Sequence, residues 1–146
     1  MLPRVLFTNP LIHLSSPSFE NRYSMRVLSS FLQQKEHQKE QEQFKTAQQA
    51  FVHMVNDFKP NAIFLSFSAG GIVVNQNEFF EELNNESKRE LKLVANLGVG
   101  YDKIEAHSCM ENNVYVSNTP DVVSEATADI TMSLILNCAR KTEYFE

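Results

Sequence analysis

The sequence contains little of what disulfide-stabilised or metal-binding proteins require. Its 146 residues include only two cysteines, Cys109 and Cys138, which do not form a Cys-x-x-Cys pair. Both thiols are therefore typical of small apolar side chains in a reducing compartment, and we expect a cytoplasmic protein. The four histidines are scattered, with no pair at the spacing of metal ligands. The sequence predicts no metal site.

Basic charge and long apolar runs are also scarce. Lysine and arginine total 13 against 18 acidic residues, which gives a net charge of -5. This balance argues against nucleic acid as a partner, because a phosphate backbone binds a basic face. No apolar run approaches the roughly 20 residues that span a bilayer. The N-terminal stretch also lacks the small-residue cleavage site of a signal peptide, so we expect neither nucleic acid nor membrane as a partner.

The sequence does contain an alternation of strand and helix patterns. Short apolar runs closed by turn residues predict strands, whereas apolar residues recurring every three or four positions predict helices. This alternation predicts one α/β domain with a mostly parallel sheet flanked by helices. The predicted elements are a strand at Arg4–Phe7, a helix carrying Tyr23, Val27 and Phe31, a helix from Ala47 to Phe58, a strand buried on both faces at Asn61–Phe67, a short helix around Glu78–Leu83, and strands at Leu91–Leu97 and Val114–Ser117.

A glutamine-rich tract, residues 33–49, interrupts this alternation. It is too polar to bury the apolar area that a core strand needs. A solvated helical surface or a loop is the plain interpretation, and a specific binding role is the alternative.

The glycine turn Gly98-Val99-Gly100 follows the strand at Leu91–Leu97. Ligands of open α/β sheets bind beyond the carboxyl ends of strands, and glycines expose backbone N–H groups there. With a helix N-terminus beside it, the turn would favour an anion such as a carboxylate or phosphate. A tight turn with Asp102 as helix cap is the plain alternative. A dinucleotide G-x-G-x-x-G loop is not indicated, because Lys103 occupies the third position and Asp121 lies in a proline loop.

The last predicted helix, capped by Ser124 and starting at Glu125, has little polar face. Ile130, Leu134 and Cys138 form one stripe, while other apolar residues lie away from it. A helix that is apolar on several sides is usually buried on several sides. One small domain offers it only one neighbour, so we expect a second domain or a second chain to cover it.

Three segments together resemble the D-isomer-specific 2-hydroxyacid dehydrogenases, and most of all the glyoxylate/hydroxypyruvate reductase group. They are LKLVANLGVGYDKIE, VYVSNTPDVVSEATAD and a helix ending in CAR, and the match covers about residues 91–140. The resemblance implies a flavodoxin-like substrate domain, residues 1–123, followed by a long interdomain and dimerisation helix in residues 124–146. It also implies that the reaction is NAD(P)H-dependent reduction of a 2-oxo acid.

The resemblance further implies roles for particular residues. The backbone of Val99 and Gly100 would hold the substrate carboxylate, Val99 would also lie near the nicotinamide, and Thr127 would face the nicotinamide pocket. Catalytic residues are not expected in this sequence, because the family's arginine, glutamate and histidine lie further along the chain.

Two departures from the family pattern shape our expectations for this sequence. The cofactor-binding Rossmann domain would begin beyond Glu146, and the glutamine-rich tract stands where a second strand is normal. We therefore expect the N-terminal part of such an enzyme, without turnover and without bound NAD(P) on its own. The alternatives are a non-enzymatic paralogue that pairs with itself or a full-length relative through residues 124–140, and the product of a truncated gene.

Overall fold

The structure of the chain, a computed structural model, describes residues 2–8, 22–28, 46–66 and 71–141. Within these residues five parallel strands form one sheet in the order β2-β1-β3-β4-β5. This is the strand order of flavodoxin-like doubly wound folds, in which ligands bind beyond the carboxyl ends of the strands. The strands are β1 (Arg4–Phe7), β2 (Ser24–Val27), β3 (Ala62–Leu65), β4 (Leu93–Asn96) and β5 (Tyr115–Ser117).

Strand register aligns one apolar row across the sheet. Leu6 pairs with Ile63, Ile63 with Val94, and Val94 with Val116. Leu6, Ile63 and Val94 are fully buried. In β4 the buried face is therefore that of Val94, although the opposite face carries more apolar residues in the sequence. Strand β3 was expected to be buried on both faces, but Ala62 and Phe64 are only half-buried, so that prediction was wrong in part.

Strand β2 corrects the prediction for the segment around Tyr23. The repeat of Tyr23 and Val27 at a four-residue spacing favoured a helix, whereas Ser24–Val27 pairs in parallel with β1 along its whole length. Ladder hydrogen bonds to β1 override the weak local preference of so short a segment. The second strand of the sheet therefore precedes the glutamine-rich tract, whose residues 33–45 lie outside the described residues, as does Phe31.

Helix α1 spans Ala47–Phe58 and packs its apolar face into the core, as the sequence pattern predicts. The Thr46 side chain accepts a hydrogen bond from the Gln49 backbone N–H at 3.2 Å and caps the helix. Lys59 ends it in a left-handed conformation (φ 50°), directly before Pro60. Phe51 is fully buried and stacks on Phe79, with ring centroids 5.4 Å apart. Burial of each such side chain stabilises the fold by roughly 1.5–3 kcal/mol.

The segment between β3 and β4 holds two short helical elements. A π-helical turn, Gln76–Phe80, starts before the helix predicted around Glu78–Leu83 and buries Phe79 and Phe80. Helix α2 (Asn85–Glu90) follows this turn. The Asn84 side chain accepts a hydrogen bond from Ser87 N at 2.8 Å, which explains why the helix starts there.

Helix α3 (Ala106–Glu111) begins later than predicted. The residue before it is Glu105, and no side chain caps it, so the alternative in which Asp102 caps the helix was wrong. Residues Val74 and Ile104 instead form an isolated parallel bridge, with Glu105 N donating to Val74 O at 2.8 Å. This bridge uses the backbone groups that a longer helix would have needed.

Helix α4 (Ser124–Arg140) extends over 17 residues, none of them buried. The prediction that Ser124 caps it was wrong, because the cap position is Val123 and no side-chain hydrogen bond is made there. Its exposed large apolar residues are Ile130, Met132, Leu134, Ile135 and Leu136, each 55–63% exposed. Across the described part of the chain, no helix combines the length and apolarity needed to cross a bilayer.

Candidate functional site

The glycine loop, residues 98–100, lies at the carboxyl end of β4 and is held by side chains from β4 and from the segment after β5. The Asn96 amide donates to Gly98 O at 3.2 Å and to Gly100 O at 2.8 Å. The Asn118 amide donates to Val99 O at 2.8 Å. Three consecutive carbonyls are thus bound by side-chain amides, and the loop has a defined conformation.

Thr119 adds a reciprocal pair of hydrogen bonds to the loop. Its backbone N–H donates to Gly98 O at 3.0 Å, and its hydroxyl accepts from Gly98 N at 2.8 Å. Gly98 is buried and has a φ of 148°, a conformation that side chains disfavour, so glycine is required there. At Gly100 a Cβ would meet, among the described residues, only the Asp102 carboxylate, at 3.2 Å.

The backbone N–H groups of Val99 and Gly100 are the available donors of the loop. Val99 and Gly100 are both exposed, and no acceptor for either N–H lies among the residues that the structure describes. Because the loop carbonyls are already hydrogen-bonded, the surface at these N–H groups can bind an anion through hydrogen bonds. The helix-terminus contribution expected from the sequence is not present, since residues 101–105 separate the loop from α3.

Val99 and Thr127 line the same open groove, of about 560 Å³, between the glycine loop and the first two turns of α4. The structure therefore brings these two sequence-predicted residues together, while Gly100 lies beside the groove rather than in its lining. Thr131 uses its hydroxyl locally, donating to Thr127 O at 2.8 Å. The Thr127 hydroxyl has no partner within the described ranges. The groove is lined by Val99, Val123, Ser124, Thr127, Ala128, Thr131 and Met132.

This lining suits a flat, mostly apolar ring with one polar substituent. Val99 and Met132 offer apolar surface, and Thr127 offers a hydroxyl that can donate or accept. A nicotinamide ring has this character, so the residues fit that end of NAD(P). They do not fit its pyrophosphate, because the turn carries Lys103 where a dinucleotide loop needs a small residue.

Sequence reasoning missed the side chains that hold the loop. Asn96 and Asn118 follow equivalent positions at the ends of two neighbouring parallel strands, since Ala95 pairs with Ser117. A polar residue at the carboxyl end of each of two predicted strands was the available signal. Only the pairing of β4 with β5 places both amides around one loop.

Other polar groups near this site have structural partners. Glu105 accepts hydrogen bonds from the Ser108 hydroxyl and, at 3.1 Å, from Gln76 N. These two interactions, the hydroxyl first, lower the pKa of the Glu105 carboxyl. Burial, together with the nearby Glu105, raises the pKa of the Cys109 thiol to about 11, so this cysteine is a poor nucleophile. No cluster of three or more potential metal ligands lies in the described part of the chain.

Comparison with known families identifies the family of this chain. The model of the D-isomer-specific 2-hydroxyacid dehydrogenase catalytic domain matches residues 23–142. The chain belongs to this dehydrogenase family. Members of the family are oxidoreductases, and NAD(P) is their cofactor.

Known dehydrogenases of this family resemble the chain in sequence and in fold. Glyoxylate reductase from Pyrococcus horikoshii is 46% identical over 55 residues, which are 38% of this chain and 16% of that protein. D-mandelate dehydrogenase from Rhodotorula graminis superposes with a TM-score of 0.70 at 20% identity, over 98% of this chain and 38% of that one. A glyoxylate reductase from Paecilomyes thermophila superposes with a TM-score of 0.66 at 17% identity, over 93% and 38%.

These likenesses cover part of each relative. The match spans about a sixth of the length of the Pyrococcus enzyme. The two solved structures share the fold of this chain over 38% of their own length. The family assignment and the α/β fold with a parallel sheet are therefore established for the matched residues.

Proposed function

We propose that this chain supplies the substrate-binding wall of an NAD(P)-dependent 2-hydroxyacid dehydrogenase of the glyoxylate/hydroxypyruvate reductase type. In this proposal residues 1–123 form the substrate domain and residues 124–146 hold the helix that leads to a cofactor domain. The observation that carries the proposal is the groove shared by the glycine loop and Thr127, with the N–H groups of Val99 and Gly100 beside it.

The substrate carboxylate binds at the N–H groups of Val99 and Gly100. Two adjacent backbone donors are suited to two carboxylate oxygens, and hydrogen bonds to a charged acceptor are the stronger kind. Asn96 and Asn118 occupy the loop carbonyls, whose partial negative charge would otherwise oppose an anion. A small 2-oxo acid bound in this way directs its carbonyl carbon toward the groove that contains Thr127.

Val99 and Thr127 would hold the nicotinamide end of the cofactor. When bound, NAD(P)H supplies the hydride that reduces the 2-oxo group. Val99 shields one part of the ring from water, and the free Thr127 hydroxyl can bind a polar ring substituent. The chain by itself binds NAD(P) weakly or not at all, because these residues contact only one end of such a cofactor.

Backbone NMR of the 146-residue chain tests the carboxylate site directly. Oxamate, an unreactive 2-oxo acid analogue, should shift the amide resonances of Val99 and Gly100 more than any others. Propionamide, which has similar size but no charge, is the matched control ligand. Equal responses to the two compounds, or shifts located elsewhere, would contradict the proposal.

The isolated chain is proposed to have no turnover. Hydride transfer needs a complete cofactor site and an acid or base group beside the substrate. Among the described residues that line the groove between Val99 and Thr127, none is a candidate for that group. NADPH oxidation with glyoxylate, followed by absorbance, should equal the blank. A rate well above the blank would refute this part.

Self-association is the second candidate function, favoured by the exposure of α4. Five large apolar side chains on this helix are more than half exposed, which is an interaction surface on physical grounds. A second copy of the chain, or a full-length relative, would cover residues 124–140. Size-exclusion chromatography with light scattering measures both events, and a monomer that ignores such a relative would exclude them.

A further inference from the structure

Asn96 makes an unusual pair of contacts for a residue at the end of a strand. Its side-chain nitrogen donates to Gly98 O at 3.2 Å and to Gly100 O at 2.8 Å, on both sides of Val99. Both donor hydrogens of the amide are thereby used on one loop. Asn118, at the end of the neighbouring strand, binds the carbonyl between them, Val99 O, at 2.8 Å.

Peptide planarity transmits these contacts to the opposite side of the loop. In a trans peptide the N–H points away from the carbonyl of the preceding residue, and none of the described peptides is cis. Fixing Gly98 O therefore aims the Val99 N–H, and fixing Val99 O aims the Gly100 N–H. The side-chain amides determine where the two proposed carboxylate donors point.

We infer that Asn96 and Asn118 form an amide clamp that positions the N–H groups of Val99 and Gly100 for a substrate carboxylate. This inference rests on the proposed function, since it concerns the same carboxylate site. Neither asparagine contacts the substrate in this account, so both are positioning residues. Asn96 binds the carbonyls on both sides of Val99 and shares Gly98 O with Thr119 N, which donates at 3.0 Å, while Asn118 holds the Val99 carbonyl between them.

Loss of the clamp should affect anion binding more than fold stability, unlike loss of an ordinary structural hydrogen bond. Val99 and Gly100 are exposed, so water can replace an amide at their carbonyls, and loss of the clamp costs the fold little. Water does not fix the carbonyl direction, however. Removing the Asn96 amide should therefore loosen the loop and weaken anion binding while the unfolding temperature stays nearly constant.

The experiment compares Asn96→Ser with Asn112→Ser in the full 146-residue chain. Asn112 is the matched control, because its amide nitrogen also donates to two acceptors, Ser108 O at 2.8 Å and the Gln76 side chain at 3.1 Å. Both asparagines are half-buried. Asn96→Asp provides a second test variant of the same shape, in which the donor nitrogen becomes an oxygen.

Two readouts separate the clamp from the carboxylate site. In the ligand-free chain, 15N relaxation order parameters of Val99 and Gly100 should fall from about 0.85 toward 0.6 in both Asn96 variants, with no change in Asn112→Ser. The oxamate dissociation constant should rise about tenfold in Asn96→Ser and further in Asn96→Asp, where a negative charge is added.

Each outcome decides one of the two ideas. Order parameters at Val99 and Gly100 that match wild type in both Asn96 variants would overturn the clamp, whatever oxamate does. If the Asn96 variants loosen the loop but oxamate does not shift the Val99 and Gly100 resonances of the wild-type chain, the carboxylate site alone would be overturned. Equal loosening in Asn112→Ser would show a general loss of structure and would also overturn the clamp.

Discussion

Replacing Ile130 and Leu134 by glutamine tests whether α4 is a self-association surface. These residues are 63% and 58% exposed and lie one helical turn apart on the same stripe. Complete burial of such a side chain is worth roughly 1.5–3 kcal/mol, so covering the exposed part is worth about 1–2 kcal/mol. In a twofold dimer each substitution acts twice, and the double variant should lose about 4–8 kcal/mol of association energy.

The loss corresponds to a dimer dissociation constant at least about a thousandfold higher. Folding of the single chain should change by no more than about 0.5 kcal/mol, because both side chains are solvated already. Sedimentation velocity between about 1 and 500 µM measures association, and urea unfolding at low concentration measures stability.

Glu125→Gln with Asp129→Asn is the matched control for this pair. These two residues are also four positions apart, are exposed, and project from the side of α4 away from Leu134. The control should leave association within a few-fold of wild type. A chain that is monomeric at 500 µM, or a dimer indifferent to the Ile130 and Leu134 substitutions, would refute the reasoning.

Three further outcomes follow from the glycine loop and the groups around it. Gly98→Ala should destabilise the fold by about 1–3 kcal/mol in urea unfolding, because φ is 148° there; Gly100→Ala, which meets only a movable carboxylate, should cost less, and equal losses would contradict this. Glu105→Gln should unfold more easily than wild type at pH 7. Because the pKa of Glu105 is lowered in the folded chain, its carboxylate stabilises the fold above the usual value of 4.5, and this stabilisation is lost as the pH falls through the lowered pKa. The difference in unfolding free energy between wild type and variant should therefore close in acid, and a constant difference would refute the prediction. At pH 8, iodoacetamide should modify exposed Cys138 well before buried Cys109, whose pKa is about 11, as mass spectrometry of the peptides would show; equal rates would contradict the burial.

The position of the candidate site could be predicted in part, because a glycine turn after a strand is recognised from local sequence. A glycine turn after a strand indicates ligand contact, and the groove does unite Val99 with Thr127. Asn96 and Asn118 could not be assigned from the sequence. Their roles depend on β4 lying beside β5. The two residues are 22 positions apart in the sequence, and the sequence alone does not show that their strands are neighbours.

The sequence by itself determined the elements whose apolar pattern is strong and local. Strands β1, β3, β4 and β5 and helices α1 and α4 lie where short-range periodicity predicts them, because such patterns reflect burial of one face over a few residues. The motif order also determined the family, which the match over residues 23–142 confirms.

Only the tertiary structure decided the assignments that need a distant partner. Ser24–Val27 is a strand because β1 offers it a ladder, and Val94 marks the core face of β4 because Ile63 lies beside it. After the glycine loop the chain forms a bridge at Ile104 before α3 begins, because the Val74 backbone pairs with the Ile104 backbone. In each case hydrogen bonds and packing across many residues of sequence outweigh a local preference of a few tenths of a kcal/mol.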